Sequence, residues 1–378
     1  MTVKMHVVMH IFIRPLAVFT LLVLLPVGAA AQSGAPTRTA TPSTAAETAT
    51  IEAGVKLHDA GKFEEAIAKY EEVLKLSPAN MTALYELAYS FAANKEYEKS
   101  LAAAMRGTEY QSPELPLFYD LLGGAYDSLN EPQKAIEIYK KGIQIVPDAS
   151  MLYYNMGVTY LESLKNPDEA RRAIEKAVAL DPAEPEFHLM LGQVLQSNGY
   201  AAPAFLAFST YLILEPNGPR ALSAYGFWRA LLRGGIEMGR SATSDGQMRT
   251  PPAAPDVKAA KVDEGDFSEF EAAITKSEQT VIAAMDRGAG ELPPFVAQVK
   301  QLVAMLAQRA PESDRTRFAS SHYVPFFAEL NAKQYVEPFI YWSMQRAPVS
   351  GVRDWLTTHQ AEVKEFVTWS RDYKWPKP

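Results

Sequence analysis

A pattern of residue types recurs about every 34 residues through the first half of the chain, and it constrains the fold more than any other feature. The pattern contains a glycine that follows an apolar residue, then an alanine, an aromatic residue and a closing proline. Its clearest copy reads Leu122-Gly123, Tyr126, Ala135, Tyr139, Pro147. Copies two periods away read Gly54, Leu57, Ala66, Tyr70, Pro78 and Gly192, Leu195, Ala204, Phe208, Pro216. A period of this length predicts a repeat architecture in which each unit packs on its neighbours.

The residue types at these positions resemble the tetratricopeptide repeat, and this resemblance implies a solenoid of helix–turn–helix units. Five units are expected, at residues 47–80, 81–114, 116–149, 150–184 and 185–218. The glycine or alanine of each first helix is expected where two helices approach closely. Two units depart from the pattern: Ser100 replaces the alanine of the second unit, and the fourth has one extra residue near Lys165. We expect these two units to be the least regular.

The N-terminus has the pattern of a secretory signal peptide. Lys4 and Arg14 supply positive charge, residues 16–27 are apolar, and three alanines precede Gln32. The alternative is an uncleaved membrane anchor, but the apolar run has about a dozen residues and a spanning helix needs about 20. We therefore expect residues 1–31 to be cleaved and the protein to be periplasmic or secreted. The absence of cysteine fits a bacterial periplasm best.

The rest of the chain divides by composition. Residues 32–46 have few large apolar side chains and are expected to form a disordered tether. The repeats with a capping helix are assigned to 47–240, a linker rich in Pro and Ser to 241–262, and a helical C-terminal domain to 263–378. The predicted fold class is all-α: a tetratricopeptide-like α-solenoid of about five repeats followed by a helical C-terminal domain.

The capping helix carries Phe227 and Trp228 at an end of the solenoid that should be polar if it were free. We expect these two residues to form an interdomain contact, with the C-terminal domain covering Trp228. The alternative is that Trp228 packs inward on the fifth repeat and that the two parts tumble independently.

Composition and motifs argue against catalysis. A net charge of −7 gives no basic surface for nucleic acid, and the lack of cysteine removes thiolate metal sites. The signature motifs of zinc proteases, serine hydrolases, P-loop proteins and dinucleotide-binding proteins are all missing. His6 and His10 have the spacing of a metal pair but lie in the predicted signal peptide. We expect a protein without catalytic residues, cofactor or metal, which reaches the membrane only through its partners.

In solenoids of this family the first helices line a concave groove, and the resemblance implies which positions point into it. These candidate partner-binding residues are Tyr85, Tyr89, Asp120, Asp127, Tyr154, Val158, Gln193 and Gln196. Family members that bind chaperones hold a C-terminal carboxylate with a Lys/Asn/Arg clamp. Ile51 and Val55 stand at two of those positions, and Asp120 would repel a carboxylate. The strip suits an apolar peptide or helix instead. The alternative is that some of these residues pack between repeats or receive the protein's own tail.

The predicted function is that of a non-enzymatic periplasmic adaptor that binds a protein or peptide partner. Two other interpretations remain open. The C-terminal domain could be an enzyme or a glycan- or peptide-binding module, with Trp375 as the best candidate for a stacking platform. The protein could also be an assembly subunit whose groove is filled permanently by one partner.

Overall fold

The computed structural model describes residues 36–232, 241–242, 248–249, 267–286, 290, 292–308 and 317–376. The predicted signal peptide and most of the predicted linker lie outside these residues. The fold is all-α, which confirms the predicted fold class. Among the described residues, no helix combines the length and the apolar character that crossing a membrane requires.

Ten helices form five consecutive hairpins, one for each predicted unit. Their bounds are α1 (Ala45–Asp59), α2 (Phe63–Leu76), α3 (Met81–Ala93), α4 (Tyr97–Gly107), α5 (Leu115–Ser128), α6 (Pro132–Ile145), α7 (Ser150–Glu162), α8 (Pro167–Leu180), α9 (Pro185–Ser197) and α10 (Ala201–Leu214). The odd-numbered members are the first helices of the units, and the even-numbered members are the second helices.

Each hairpin turns at one residue in the left-handed region. These residues are Gly61, Lys95, Asn130, Lys165 and Gly199, with φ between 53° and 83°. In the first turn the amide of Gly61 donates to the carbonyl of His58, and the amide of Lys62 donates to that of Leu57. Such bonds satisfy the last carbonyls of the first helix. The extra residue of the fourth unit lies in its turn, which spans residues 163–166.

The small residue of a first helix makes room for a large side chain of the second helix. A Cβ added to Gly54 would lie 2.5 Å from Cε1 of Tyr70, which is fully buried. Ser100 takes the place of the usual alanine because its buried hydroxyl donates to the carbonyl of Ala88 at 2.8 Å. A polar group is tolerated there because it has a partner.

Residues 36–44, which lie within the tether predicted at 32–46, include a short strand before α1. A short strand β1 (Arg38–Thr39) pairs in parallel with β2 (Tyr110–Gln111), which lies between α4 and α5. The Arg38 guanidinium lies 4.5 Å from the centre of the Tyr110 ring. Backbone hydrogen bonds and a cation–π contact therefore hold this segment in place, although it buries little apolar surface.

Seven further helices and a pair of short strands follow the five hairpins in the described residues. They are α11 (Ala221–Leu232), β3 (Ser241–Ala242), β4 (Met248–Arg249), α12 (Ser268–Asp286), α13 (Leu292–Gln308), α14 (Phe318–Ala332), α15 (Val336–Ser343), α16 (Val352–Thr358) and α17 (Gln360–Asp372). The strands β3 and β4 are antiparallel. Gln334, with φ of 63°, turns α14 into α15 with the same hydrogen bonds as Gly61. The C-terminal part therefore reuses the local hairpin geometry although its sequence does not repeat.

The largest hydrophobic core extends from α8 to α17 and joins the last repeats to the C-terminal helices. Trp228 of α11 is fully buried inside it. Its ring packs at 5.8 Å from Phe205 of α10, at 5.3 Å from Phe295 of α13 and at 6.1 Å from Phe339 of α15. Its indole nitrogen donates to the Ser209 hydroxyl at 2.8 Å. Trp228 thus packs inward on the fifth repeat and is also covered by C-terminal helices.

Candidate interaction face

The first helices α1, α3, α5 and α7 lie side by side, and aromatic side chains connect α1, α3 and α5. His58 of α1 stacks on Tyr89 of α3, with ring centres 4.6 Å apart. Tyr85, one turn earlier on α3, lies parallel to Tyr89 at 6.1 Å and meets Phe118 of α5 edge-on at 6.2 Å. Both tyrosines remain partly exposed. Their rings are therefore held in fixed orientations at the surface.

The middle of this surface carries two carboxylates on α5. Asp120 is buried and accepts a hydrogen bond from the Asn155 amide of α7. Asp127 is partly exposed and accepts one from the Thr159 hydroxyl at 3.2 Å. Burial raises the pKa of Asp120 to about 6, and the hydrogen bond from Asn155 opposes this rise only in part. Between them, a Cβ added to Gly124 would meet no heavy atom within 4 Å, so the surface beside the carboxylates is open.

The other predicted residues continue along α7 and α9. Tyr154 stacks on Phe187 of α9 with ring centres 4.9 Å apart, and burial raises the pKa of its hydroxyl. Val158, Gln193 and Gln196 are each partly exposed. We name the surface formed by the eight predicted residues the first-helix face. Asp120 is its one buried member, and several members also pack between repeats.

Asn155 and Thr159 were missed as members of this site. They lie one helical turn apart on α7 and bond to the two carboxylates of α5. Their positions, two before and two after Gly157, were outside the positions that the family resemblance assigned to the groove. The two carboxylates are seven residues apart and their two partners are four residues apart, so residue spacing gave no signal for these pairs.

The two predicted interdomain residues have different surroundings. Trp228 contacts both the fifth repeat and the C-terminal helices, as described above. Phe227 stacks on Phe208 of α10 at 5.4 Å and remains partly exposed.

Trp375, the candidate stacking platform, is held by the C-terminal helices. Its ring lies nearly parallel to His322 at 4.8 Å and to Phe326 at 4.9 Å, both on α14. A cavity of about 700 Å³ lies beside it, lined by the ends of α8, α10 and α17. The helix C-termini there carry partial negative charge, whereas Arg371 and Lys374 in its lining are positive. Because these charges have opposite signs, the cavity has no preference for an anionic or a cationic ligand.

The described part of the chain contains no group of three or more His, Asp or Glu side chains arranged to hold a metal ion. The first-helix face instead carries a row of oriented aromatic rings, amides and carboxylates on stacked helices. A solenoid with such a shared face belongs to the class of helical-repeat proteins that bind other proteins.

Two family models match the chain. Residues 54–95 match the model described as TPR repeat, and residues 128–194 match the model described as Tetratricopeptide repeat. Both matched segments contain tetratricopeptide repeats, as the residue pattern predicted. Proteins with these repeats are generally non-enzymatic scaffolds for protein–protein interactions.

Curated relatives share only part of their length with this chain. It is 26% identical over 139 residues to the BBSome complex member BBS4 of Bos taurus, and 29% identical over 130 residues to the mitochondrial import receptor subunit TOM70 of Homo sapiens. These alignments cover 37% and 32% of this chain. The chain spans about a quarter of the length of these relatives, namely 26% and 21%.

Solved structures with a similar fold cover about half of the chain. A thermophilic TPR protein of Thermus thermophilus is 22% identical, with a TM-score of 0.41, over 49% of this chain and 98% of that one. The pilF protein of Pseudomonas aeruginosa is 20% identical, with a TM-score of 0.36, over 50% of this chain and 89% of that one.

Proposed function

We propose that this protein is a periplasmic adaptor whose first-helix face binds an apolar peptide or helix of another envelope protein. The observation that carries the proposal is the set of partly exposed rings fixed by stacking, namely Tyr85, Tyr89 and Tyr154. Rings that are already ordered lose little conformational entropy on binding, and tyrosine is enriched among the residues that dominate interface energies.

The polar residues of the face support the proposal. Buried Asp120 destabilises the folded protein at neutral pH, because its folded pKa lies above the ordinary value of 3.8. The folded state therefore binds more protons, and stability falls as the pH rises from about 4 to about 6. Although the Asp120 carboxylate lowers the stability of the folded protein, it lies beside the open surface at Gly124. It is therefore suited to accept hydrogen bonds from a partner's N–H groups.

The location in the periplasm rests on the N-terminal sequence. Positive charge, a short apolar run and small residues before Gln32 are the features that signal peptidases read. Sequencing the N-terminus of the protein from the envelope fraction should give Gln32. An N-terminus within residues 1–9 would contradict export by a cleaved signal.

The binding surface can be tested by photocrosslinking in intact cells. A benzophenone side chain is introduced at Val158 or Gln193 on the first-helix face, or at Glu137, which is exposed on the second helix α6. We expect a discrete crosslinked partner from the first two positions and none from Glu137.

A double variant tests whether the rings hold this partner. Tyr85→Ala with Tyr89→Ala should weaken binding by at least about 2 kcal/mol, roughly 30-fold, and should abolish the crosslink. Tyr97→Ala is the matched control, since Tyr97 is a partly exposed tyrosine on the second helix α4. A crosslink that survives the double variant, with helical content unchanged, would show that the face is not the binding surface.

A further inference from the structure

The two layers of the solenoid differ sharply in charge. The first helices α1, α3, α5, α7 and α9 together contain eight Asp or Glu residues and one Lys. The second helices α2, α4, α6, α8 and α10 contain nine acidic and ten basic residues. Acidic charge is therefore in surplus on the layer that carries the first-helix face, whereas the other layer is balanced.

The acidic surplus includes members of the face itself. Asp120 and Asp127 lie on either side of Gly124, where the surface is open. Asp59 and Glu162 are exposed near the C-terminal ends of α1 and α7. Lys56 is the only Lys or Arg residue in these five helices. Summed charge of one sign along a surface attracts ligands of the opposite sign and raises their association rate.

The tyrosine rings of the first-helix face favour a cationic ligand, as its carboxylates do. The faces of tyrosine rings attract cations, and Tyr85 and Tyr89 are partly exposed on α3, which contacts the helix α5 that carries the two carboxylates. A cation that reached Asp120 would also restore part of the solvation that this buried carboxylate has lost. Apolar contact, cation–π attraction and carboxylate pairing can therefore act on one ligand.

We propose that the partner segment bound by the first-helix face is a basic amphipathic one, with Lys or Arg beside apolar side chains. This inference rests on the proposed function and adds the chemistry of the partner to it. The aromatic rings take the apolar side chains, and Asp120 and Asp127 pair with a cationic group held above Gly124. A segment that ends in acidic residues is repelled.

The test uses the mature full chain and three designed helical peptides. The probe repeats leucine and lysine on opposite faces; in the other two peptides glutamine or glutamate replaces every lysine. Fluorescence anisotropy of the labelled peptides gives the affinity at low and at high salt. The lysine peptide should bind at least about tenfold more tightly than the glutamine peptide, and the glutamate peptide weakest of all. High salt should reduce the difference.

Two double variants that each neutralise two carboxylates test which carboxylates attract the lysine peptide. Asp120→Asn with Asp127→Asn should weaken binding of the lysine peptide about tenfold or more. Glu64→Gln with Glu137→Gln makes the same change of charge on exposed positions of second helices and should leave affinity within about twofold. Equal loss in both double variants would overturn the inference, because attraction would then come from net charge alone.

Failure of this inference can be told apart from failure of the proposed function. If all three peptides bind equally and Tyr85→Ala with Tyr89→Ala abolishes binding, the face binds apolar segments and the preference for basic ones is refuted. If no peptide binds, the inference is also refuted, and the crosslinking experiment decides the proposed function by itself. If peptides bind and the tyrosine variant has no effect, both are refuted.

Discussion

The neighbouring glycines Gly123 and Gly124 of α5 provide a matched test of how the repeat units pack. Alanine at either position should gain about 0.8–1 kcal/mol of helix propensity, because both lie inside the same helix. Their surroundings differ. A Cβ on Gly124 would meet no heavy atom within 4 Å, whereas a Cβ on Gly123 would overlap the Tyr139 ring, with even Cδ1 at 2.8 Å.

The size of the effect follows from this overlap. Carbon atoms in contact are ordinarily about 3.5–4.0 Å apart, so the ring or the helix must move by about 1 Å. The ring has no free space to move into, because Tyr139 is only 1% exposed. Overpacking of this kind costs about 1–3 kcal/mol. Since the propensity gain cancels between the variants, Gly123→Ala should be less stable than Gly124→Ala by about 1–3 kcal/mol.

Urea denaturation followed by far-ultraviolet circular dichroism measures the difference. Gly124→Ala should be more stable than the parent protein by up to about 1 kcal/mol, and its binding face should remain open enough for peptide to bind. If Gly123→Ala is stabilised as much as Gly124→Ala, Gly123 is not at a close contact with the second helix, and the packing described for the third unit is wrong.

Two further predictions concern the junction between the repeats and the C-terminal helices. His188 is fully buried, which lowers its pKa from 6.5 to about 4, so the unfolded chain binds more protons between these values. The contribution of His188 to stability should therefore fall as the pH drops from about 6.5 to about 4, by up to roughly 3 kcal/mol, whereas the contribution of Asp120 rises over much of this range. Relative to the His188→Gln variant, the parent protein should lose stability on this acidification. Equal changes of the urea midpoint in the two proteins would contradict this prediction. Trp228→Phe should leave the buried Ser209 hydroxyl without its 2.8 Å donor and cost about 1–3 kcal/mol. Ser209→Ala in that background should recover part of the loss, and absence of any recovery would mean that this hydrogen bond does not stabilise the junction.

Much of the solenoid was predictable because its determinants are local. A glycine in the first helix and an aromatic residue 16 positions later, as in Gly54 and Tyr70, meet within one hairpin. The turn between the two helices depends on one residue such as Gly61 or Asn130. Five such hairpins then stack in sequence order, so the number and bounds of the units follow from the period.

The candidate site was predictable only in part. The positions of Tyr85 and Tyr89 follow from the family pattern, but their orientation depends on His58 and Phe118 of neighbouring units. The burial of Asp120 and its bond to Asn155 depend on how closely α5 and α7 approach. Residue spacing within one helix contains no information about that distance.

The sequence by itself determined that this chain is a stack of helical hairpins, because each hairpin is specified by contacts within about 34 residues. Only the tertiary structure decided how distant segments join that stack. The strand at Arg38–Thr39 reaches Tyr110–Gln111, Trp228 reaches Phe295 and Phe339, and His188 lies 2.7 Å from the Tyr323 hydroxyl across 135 residues. These contacts follow no period, because they form between surfaces that exist only after the helices have packed.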